Sequence, residues 1–462
     1  MTSGFDADVI VVGGGVSGLA SAWGLEQRGA RVMLLEAMLR PGGCIGTVRE
    51  RGCLLELGPN SALETTPLLG PLLAELGIAA ARIPANPDAR NRYVLRDGKL
   101  TAVPLSPFAF LSTPLFSTRA KLRLFCEPFI GAGEAEIEES VAGFVRRRLG
   151  AEFLDYAINP FVGGVYAGDP ELLSVGAAFP RLYELEQKYG GLIRGQLLGA
   201  RARARDAEKS KQSATMFAFQ DGMQTLTDAI ARRLARVELG ADVCSVAVGG
   251  SGCAVTAFSG GARREFHARA VLLAVPAYAA AKLVAPWAPQ AAAALAAISY
   301  PPVTVVHSAY RRSAIKHPLD GFGMLVPQCE HRQILGTIFS STLFANRAPE
   351  GQALLTTFIG GTRQPELALL DECEIASRVQ AEHAALLGAT GSPELVRVTR
   401  WPLAIPQYAL GHAKRIACIE KVERDFPGLY FCANYRGGIA IGDCIRSADR
   451  AVQQVTAFLR GA

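Results

Sequence analysis

Between Asp8 and Glu36 the sequence spells out one supersecondary unit, and it constrains the fold more than any other stretch. Asp8-Val9-Ile10-Val11-Val12 is a short apolar run of the kind that forms a buried parallel strand. Gly13-x-Gly15-x-x-Gly18 follows at once, with Ser17 inside it, and residues 19–29 then read as a helix. Residues 31–36 read as a second buried strand that ends in an acid. The glycines have separate tasks: a tight turn, close approach of backbone to a pyrophosphate, and close packing of helix on strand. The pyrophosphate then rests on the helix N-terminus, where free N–H groups and the dipole favour negative charge. Glu36 is placed to hold ribose hydroxyls and to disfavour a 2′-phosphate. A lone glycine motif carries little weight. Strand, glycines, helix, strand and acid in sequence predict a Rossmann-type βαβ unit with a dinucleotide on it.

The next loop separates two kinds of dinucleotide. Arg40-Pro41-Gly42-Gly43 comes after the second strand, with Gly46-Thr47 behind it. A hydride-transferring nicotinamide enzyme needs no such loop. The segment resembles that of glutathione-reductase-like FAD proteins, in which a basic residue and glycines cover the pyrophosphate and ribityl chain. Near the other end, Asn434-Tyr435-Arg436-Gly437-Gly438 leads through Ile439-Ala440 into a helix, a second helix end for the flavin. Together these features predict FAD.

The chain is 462 residues long, beyond the ~250–300 at which single cores stop growing, so two or three structural units are expected. Residues 91–104 read as a hairpin turning at Asp97-Gly98. Residues 105–130 are apolar and broken by Pro107, Pro114 and Pro128. Residues 134–158 and 181–212 read as helical, the latter carrying Arg201, Arg203, Arg205, Lys209 and Lys211. Short strands are expected over 236–275 and antiparallel ones over 300–360. A helix is expected at 371–388, a strand at 428–433 and a last helix from Cys444. Nucleotide-type signals at both ends predict a discontinuous FAD domain (1–85, 212–290 and 395–462). The rest divides into a substrate-domain hairpin at 86–104, a helical segment at 105–211 and a substrate-binding segment at 291–394. The expected fold is thus α/β: a glutathione-reductase-like FAD-binding fold with a mixed-sheet substrate domain and a helical, membrane-contacting domain.

Charge and cysteines narrow the function classes. A net charge of +6 suits an anionic ligand or a membrane surface and is too diffuse for nucleic acid. The ten cysteines are scattered with no CxxC pair, which argues against a zinc ribbon or a thioredoxin-like site and for a reducing compartment. No metal site is expected. The first residues lack the basic region of a secretory signal, and no run of about 20 residues is apolar enough to predict a transmembrane helix.

The fingerprint, the Gly42-Gly43 loop and the C-terminal motif resemble the flavin amine-oxidase superfamily. Within it, several stretches resemble the oxygen-dependent protoporphyrinogen oxidases. They are Glu56-Leu57-Gly58-Pro59-Asn60-Ser61, Phe161-Val162-Gly163-Gly164-Val165-Tyr166-Ala167-Gly168-Asp169-Pro170 with Leu173-Ser174, and Gly321-Phe322-Gly323-Met324-Leu325-Val326-Pro327. Residues 335–341, Arg347-Ala348-Pro349 and residues 434–444 add to the likeness, which spans essentially the whole chain.

The resemblance implies removal of six electrons from a porphyrinogen in three flavin-mediated steps, with O2 reoxidising the flavin to give H2O2. It assigns FAD contacts to Gly13, Gly15, Ser17, Gly18, Glu36, Arg40, Gly42, Gly43, Gly58, Pro59, Asn60, Ser61, Trp401, Asn434, Gly438, Ile439 and Ala440. Val243 falls where backbone holds the adenine, with Val246 as the alternative. Arg92 falls where an arginine pairs with a propionate, as a guanidinium fork suits a carboxylate. Phe344 falls where an aromatic stacks on a pyrrole ring, and Ile315 and Leu325 where aliphatic side chains sandwich the macrocycle. Gly164 falls where a backbone carbonyl steers substrate N–H groups. None of these supplies a titratable base; His317 and His331 are candidates by residue type alone. Noncovalent FAD is expected, because Cys432 and Cys444 lack the Ser-Gly-Gly-Cys-Tyr context of relatives that bond flavin through cysteine.

Within 105–130, Phe108, Phe110, Leu111, Leu115, Phe116, Leu122, Leu124 and Phe125 lie beside Arg119, Lys121 and Arg123, a composition suited to a bilayer surface. With the resemblance, this implies a cytoplasmic protein peripheral on the inner face of the cytoplasmic membrane, a hand-off of product to a ferrochelatase, and a homodimer. Three rival readings stand: coproporphyrinogen III oxidation by the same chemistry, a flavin amine oxidase or carotenoid desaturase, and a non-catalytic escort protein on an FAD fold. The last is disfavoured because the cofactor motifs are intact.

Overall fold

The computed structural model describes residues 4–134, 137–198, 214–250 and 252–461. Fourteen strands build two large sheets. In chain order they are β1 (Ala7–Val12), β2 (Val32–Glu36), β3 (Asn91–Arg96), β4 (Lys99–Ala102), β5 (Val237–Leu239), β6 (Asp242–Gly249), β7 (Gly252–Ser259), β8 (Ala262–Leu273), β9 (Val303–Arg311), β10 (Gly321–Leu325), β11 (Gly336–Phe339), β12 (Gln352–Gly360), β13 (Leu395–Trp401) and β14 (Leu429–Phe431).

The first sheet runs β5-β2-β1-β8-β7-β6, with β14 also pairing with β8. Its centre is parallel: Val9 pairs with Val32 and with Ala270. These strands are apolar along their length because both faces are covered. Val9, Val11 and Leu34 pack against Leu19, Ala22 and Trp23 of helix α1 (Val16–Glu26) and against Ala448 and Val452 near the C-terminus. Ile10, Val12, Met33 and Leu35 pack on the other side against Ala277, Ala280, Ala291 and Leu295. The sheet thus collects the beginning, the middle and the end of the chain.

The second sheet runs β13-β9-β12-β11-β10-β3-β4 and is antiparallel except between β10 and β3. The expected hairpin is β3–β4, and Asp97 (φ 50°) and Gly98 (φ 72°) both take the left-handed region its turn requires. Alternation sorts its faces. Val306, Tyr310, Met324 and Leu355 pack with Ile375 and Val379 of the helix Glu372–Leu387. His307 points the other way, and its Nε2–H donates to Glu56 O at 3.1 Å. Trp401 Nε1–H donates to Leu57 O at 2.8 Å. The second sheet is therefore fastened to the first lobe in part through this short segment, and Arg397–Glu50 and Leu54 N–H to Arg347 O add further bonds between them.

The remaining helices include α2 (Pro107–Ser112), α3 (Thr118–Phe125), α4 (Val141–Arg148), α5 (Asn159–Tyr166), α6 (Pro180–Tyr189) and α7 (Leu192–Leu198). The helix expected over 134–158 is corrected. Helix α4 starts only at Val141, Gly150 at φ 97° interrupts the chain, and a π-helical turn at Leu154–Ile158 leads into α5. The helix expected over 181–212 divides at Gly190, a left-handed cap at φ 76°. Residues 199–213, with Arg201, Arg203, Arg205, Lys209 and Lys211, lie outside the described residues. Toward the C-terminus come α8 (Glu372–Leu387), α9 (His412–Asp425) and α10 (Ile441–Leu459). Helix α10 begins before the expected Cys444, where the Asp443 carboxylate accepts from the Ala440 N–H.

A buried ion cluster holds the helical segment together. Arg148, fully buried, pairs with Glu127 at 3.0 Å and with Glu186. Glu127 also accepts from the Leu192 and Ile193 N–H groups at the start of α7, and Arg147 joins Glu139 to Glu186. Outside this cluster Phe108 (83% exposed) and Phe129 (85%) stand in solvent with Leu105, Leu111, Leu122 and Phe125. No helix among the described residues is long and apolar enough to cross a membrane. Removing the cation leaves the buried Glu127 carboxylate without an ion-pair partner, while Glu186 keeps Arg147, so Arg148→Met should cost about 3–5 kcal/mol in a urea unfolding titration.

Three histidines are buried neutral. Burial pulls His307, His383 and His412 each down to about 4. Their folded values lie below the unfolded value near 6.5, so their contribution is complete above that pH and is lost as pH falls toward 4. Glu56, held up at about 7 by burial, opposes them weakly: its contribution is lost as pH rises from about 4.5 to 7. The urea midpoint should fall between pH 6.5 and pH 5, and Glu56→Gln should steepen that fall.

Candidate active site

The nucleotide end is built by four loops that lean on one another. Gly13 sits at φ 107°, where a Cβ would lie 2.8 Å from Ala274 O, and a Cβ on Gly18 would strike Gly13 O. Gly15, by contrast, has nothing within 4 Å of a Cβ position, and α1 begins there with no side-chain cap. The first N–H groups of α1 therefore open onto a clear cradle, which fits a pyrophosphate. Glu36 is buried and accepts from the Gly14 and Met38 N–H groups, so it braces the turn. Gly42 N–H donates to Gly14 O at 2.8 Å, and Gly43 closes on the Gly15 Cα. Arg40 spends its guanidinium on its own loop: Nη1 donates to Ile45 O at 2.8 Å and Nη2 to Gly43 O at 2.9 Å.

The segment 57–61 continues this wall. Leu57 N–H donates to Gly46 O at 2.8 Å, and Gly58 is pressed on Cys44 so that a Cβ would strike Cys44 O. Pro59, Asn60 and Ser61 are half-buried beside it, with Trp401 bonded to Leu57 from the second sheet. At the far side Asn434, Gly438, Ile439 and Ala440 lead into α10, and the Cys444 thiol is hydrogen-bonded to Ser17 of α1. The two helix starts thus meet. Burial pushes the Cys444 thiol up to about 12 and raises Cys432 as well, so neither is a ready nucleophile. On β6, Val243 is half-buried at a register shift, whereas Val246 is buried in the core.

On the second sheet, Leu325 lies against Gly164 of α5, and a Cβ on Gly164 would lie 2.5 Å from Leu325 Cδ2. Arg92 is exposed on β3, opposite Gly323 of β10, with its guanidinium 5.9 Å from the Phe322 ring centroid. It has no carboxylate partner among the described residues. Val94, two residues on, packs with Leu325 on the same face.

Two candidates are not brought to this wall. Ile315 lies in the core on the α8 face, with Tyr310, Val379 and Leu387, bridged to Ala389. The sheet stands between it and Gly164, so it cannot sandwich a ligand there. Phe344 is 2% exposed and packed beside Arg347 under the junction of the lobes, where it borders a small void. His317 lies on the α8 side, where its Nδ1 accepts from the Leu319 N–H and burial lowers its pKa. His331 is an exposed turn residue.

Sequence reasoning passed over three residues. Phe161 and Val165 are exposed on the same helical face as Gly164, three or four residues apart, an apolar face left in the open. Glu56 closes a small void lined by Asn60, Ile338, Phe344 and Arg347 and is bonded to Thr47, Met223 and Arg347. It opens the Glu56–Ser61 stretch that carries the resemblance, but no role was assigned to it. Among the described residues there is no cluster able to hold a metal.

A Rossmann unit whose glycine turn meets a second helix start, with a mixed sheet fastened over both, defines a two-lobed flavin oxidoreductase. The chain belongs to the flavin-containing amine oxidoreductase family, whose family model matches residues 16–456. It is 33% identical to protoporphyrinogen oxidase 2 of Arabidopsis thaliana over 98% of this chain and 94% of that one. It is 28% identical to the coproporphyrinogen III oxidase of Bacillus subtilis over 98% of each. A crystal structure from Exiguobacterium sp. 255-15 shares the fold, with a TM-score of 0.81 at 23% identity over 97% of this chain and 98% of that one.

If the Gly164–Leu325 contact sets the width of the substrate gap, Gly164→Ala should lower turnover about tenfold and Leu325→Ala should partly restore it. A double-mutant cycle on kcat/KM checks this; additive losses would contradict it.

Proposed function

We propose that the chain oxidises protoporphyrinogen IX to protoporphyrin IX with noncovalent FAD, using three O2 and releasing three H2O2. The single observation that carries the reading is the apolar wall of Leu325 and Gly164 with Arg92, which has no carboxylate partner among the described residues, on the same sheet as Leu325. The names of the relatives at about one-third identity support it. When bound, FAD supplies hydride acceptance and passes the electrons to O2. The residues of this chain then bind and orient. The α1 N-terminus, the 40–46 loop and the 434–440 turn hold the dinucleotide, and the backbone of Val243 faces the adenine. Leu325, Phe161 and Val165 cover the macrocycle and exclude water, with Val94 packed behind Leu325, and Arg92 pairs with a propionate. Gly164 lets the macrocycle approach and turns its carbonyl to substrate N–H groups. No titratable side chain is needed on this wall: orientation of a near-attack geometry supplies the larger part of the rate.

The same reading gives the division of the chain into an FAD domain of three pieces, a substrate domain and a helical domain. The last rests on a bilayer through Phe108, Leu111, Leu122, Phe125 and Phe129, with Arg119 at the headgroups, while Lys121 and Arg123 donate to backbone carbonyls of the same segment. This places the protein at the cytoplasmic face of the membrane, where an apolar product suits direct transfer to a ferrochelatase; a homodimer belongs to the same proposal. Coproporphyrinogen III is the second reading, favoured by the Bacillus relative; its four propionates call for more cations than Arg92.

Porphyrin fluorescence under air tests the proposal. Wild-type protein should turn over protoporphyrinogen IX faster than coproporphyrinogen III, and Arg92→Ala should raise KM about tenfold or more with little change in kcat. No product from either substrate would refute it. Phe125→Asp with Phe129→Asp should abolish co-sedimentation with anionic vesicles; unchanged binding would refute the docking surface.

A further inference from the structure

The C-terminal turn is held from outside by two side chains that no motif singled out. Tyr408 is buried, and its hydroxyl donates to Asn434 O at 2.8 Å while accepting from the Gly438 N–H at 2.8 Å. One oxygen therefore spans the turn from its first residue to its second glycine. His412, at the start of α9, is also buried and lies flat on Tyr408, with ring centroids 4.2 Å apart and planes 13° apart. A carbonyl can only accept, so the 3.0 Å contact fixes His412 as the Nε2–H tautomer donating to Tyr435 O. Ser447 closes a third carbonyl, that of Arg436.

These bonds hold backbone that is otherwise hard to hold. Gly437 and Gly438 lie at φ 86° and φ 121°, and a Cβ on Gly438 would strike Asp443. Among the described residues the Ile439 N–H has no partner. The turn therefore presents a free donor beside the start of α10. Tyr408 also belongs to the core of the helical segment, with Tyr166, Val175 and Ile439, and its carbonyl accepts from the Ser174 N–H. It thus links that segment to the turn.

We propose that Tyr408, stacked on His412, is the positioning residue that locks the 434–440 turn in the one shape able to receive the flavin. The inference rests on the reading of that turn as a cofactor contact. A hydroxyl that satisfies two backbone groups at once cannot be replaced by water without loosening both, because the site is buried.

The test uses the purified holoprotein. Tyr408→Phe keeps the ring and its stack and removes only the hydroxyl. It should weaken FAD retention about tenfold on dilution, read as released flavin fluorescence, and shift the visible flavin spectrum. A role confined to general stability would lower the melting temperature and leave the spectrum of bound flavin unchanged, and that result overturns the proposal. His412 provides the second variant pair should Tyr408→Phe fail to fold. His412→Gln keeps a donor for Tyr435 O, whereas His412→Leu keeps none, so retention should fall in the order wild type, Gln, Leu. Equal retention in all three overturns the proposal. Wild-type protein that takes up no flavin would instead bring down the cofactor reading itself, along with this inference.

Discussion

The segment Glu56–Leu57 is where the two lobes are bonded together. Glu56 O accepts from His307 and Leu57 O from Trp401, both on the second sheet, while Leu57 N–H donates into the 40–46 loop of the first lobe. The Glu56 side chain binds Thr47, Met223 and Arg347. Together with the Arg397–Glu50 pair and the Leu54 N–H to Arg347 O bond, these two residues fix the nucleotide cradle against the sheet that bears Leu325. Burial of that carboxylate holds its pKa at about 7, so the junction keeps a polar group at some cost to stability. What it gains is a fixed gap, which matters where positioning is the main source of rate.

The glycines act as a second constraint, on approach rather than spacing. Gly15 leaves open space, Gly43 closes on Gly15, and Gly164 gives way to Leu325. At Gly15 a side chain would fill the open cradle, whereas at Gly43 and Gly164 it would push apart elements that pack closely. His383, bonded to Tyr310 and Thr357, and the Arg148 cluster act further out. They keep α8 on its sheet and the helical segment rigid enough to carry exposed phenylalanines.

Local signals were legible in the sequence, and long-range ones were not. The strand–glycine–helix–strand unit at 8–36 and the Asp97-Gly98 hairpin depend on neighbouring residues, and the structure has both. The helix expected over 134–158 is interrupted because Gly150 and a π-helical turn outweigh an apolar spacing that looks continuous. Ile315 illustrates a different limit. A position in the chain does not say which face of a sheet the side chain will occupy, and Ile315 falls on the α8 side. Phe344 has the composition of a stacking residue and the burial of a core one. The roles of Glu56, Tyr408 and His412 were not legible because their partners are tertiary: His307 and Trp401 lie hundreds of residues from the segment they fasten.

The proposed chemistry requires that a porphyrinogen give its electrons to a flavin held between these lobes. Anaerobic stopped-flow mixing of the purified protein with protoporphyrinogen IX and with coproporphyrinogen III measures that transfer directly, before O2 enters. The predicted result is rapid bleaching of the oxidised flavin band, faster with protoporphyrinogen IX. Faster bleaching with coproporphyrinogen III would keep the chemistry and reverse the substrate, and an unbleached flavin with both would contradict the central claim.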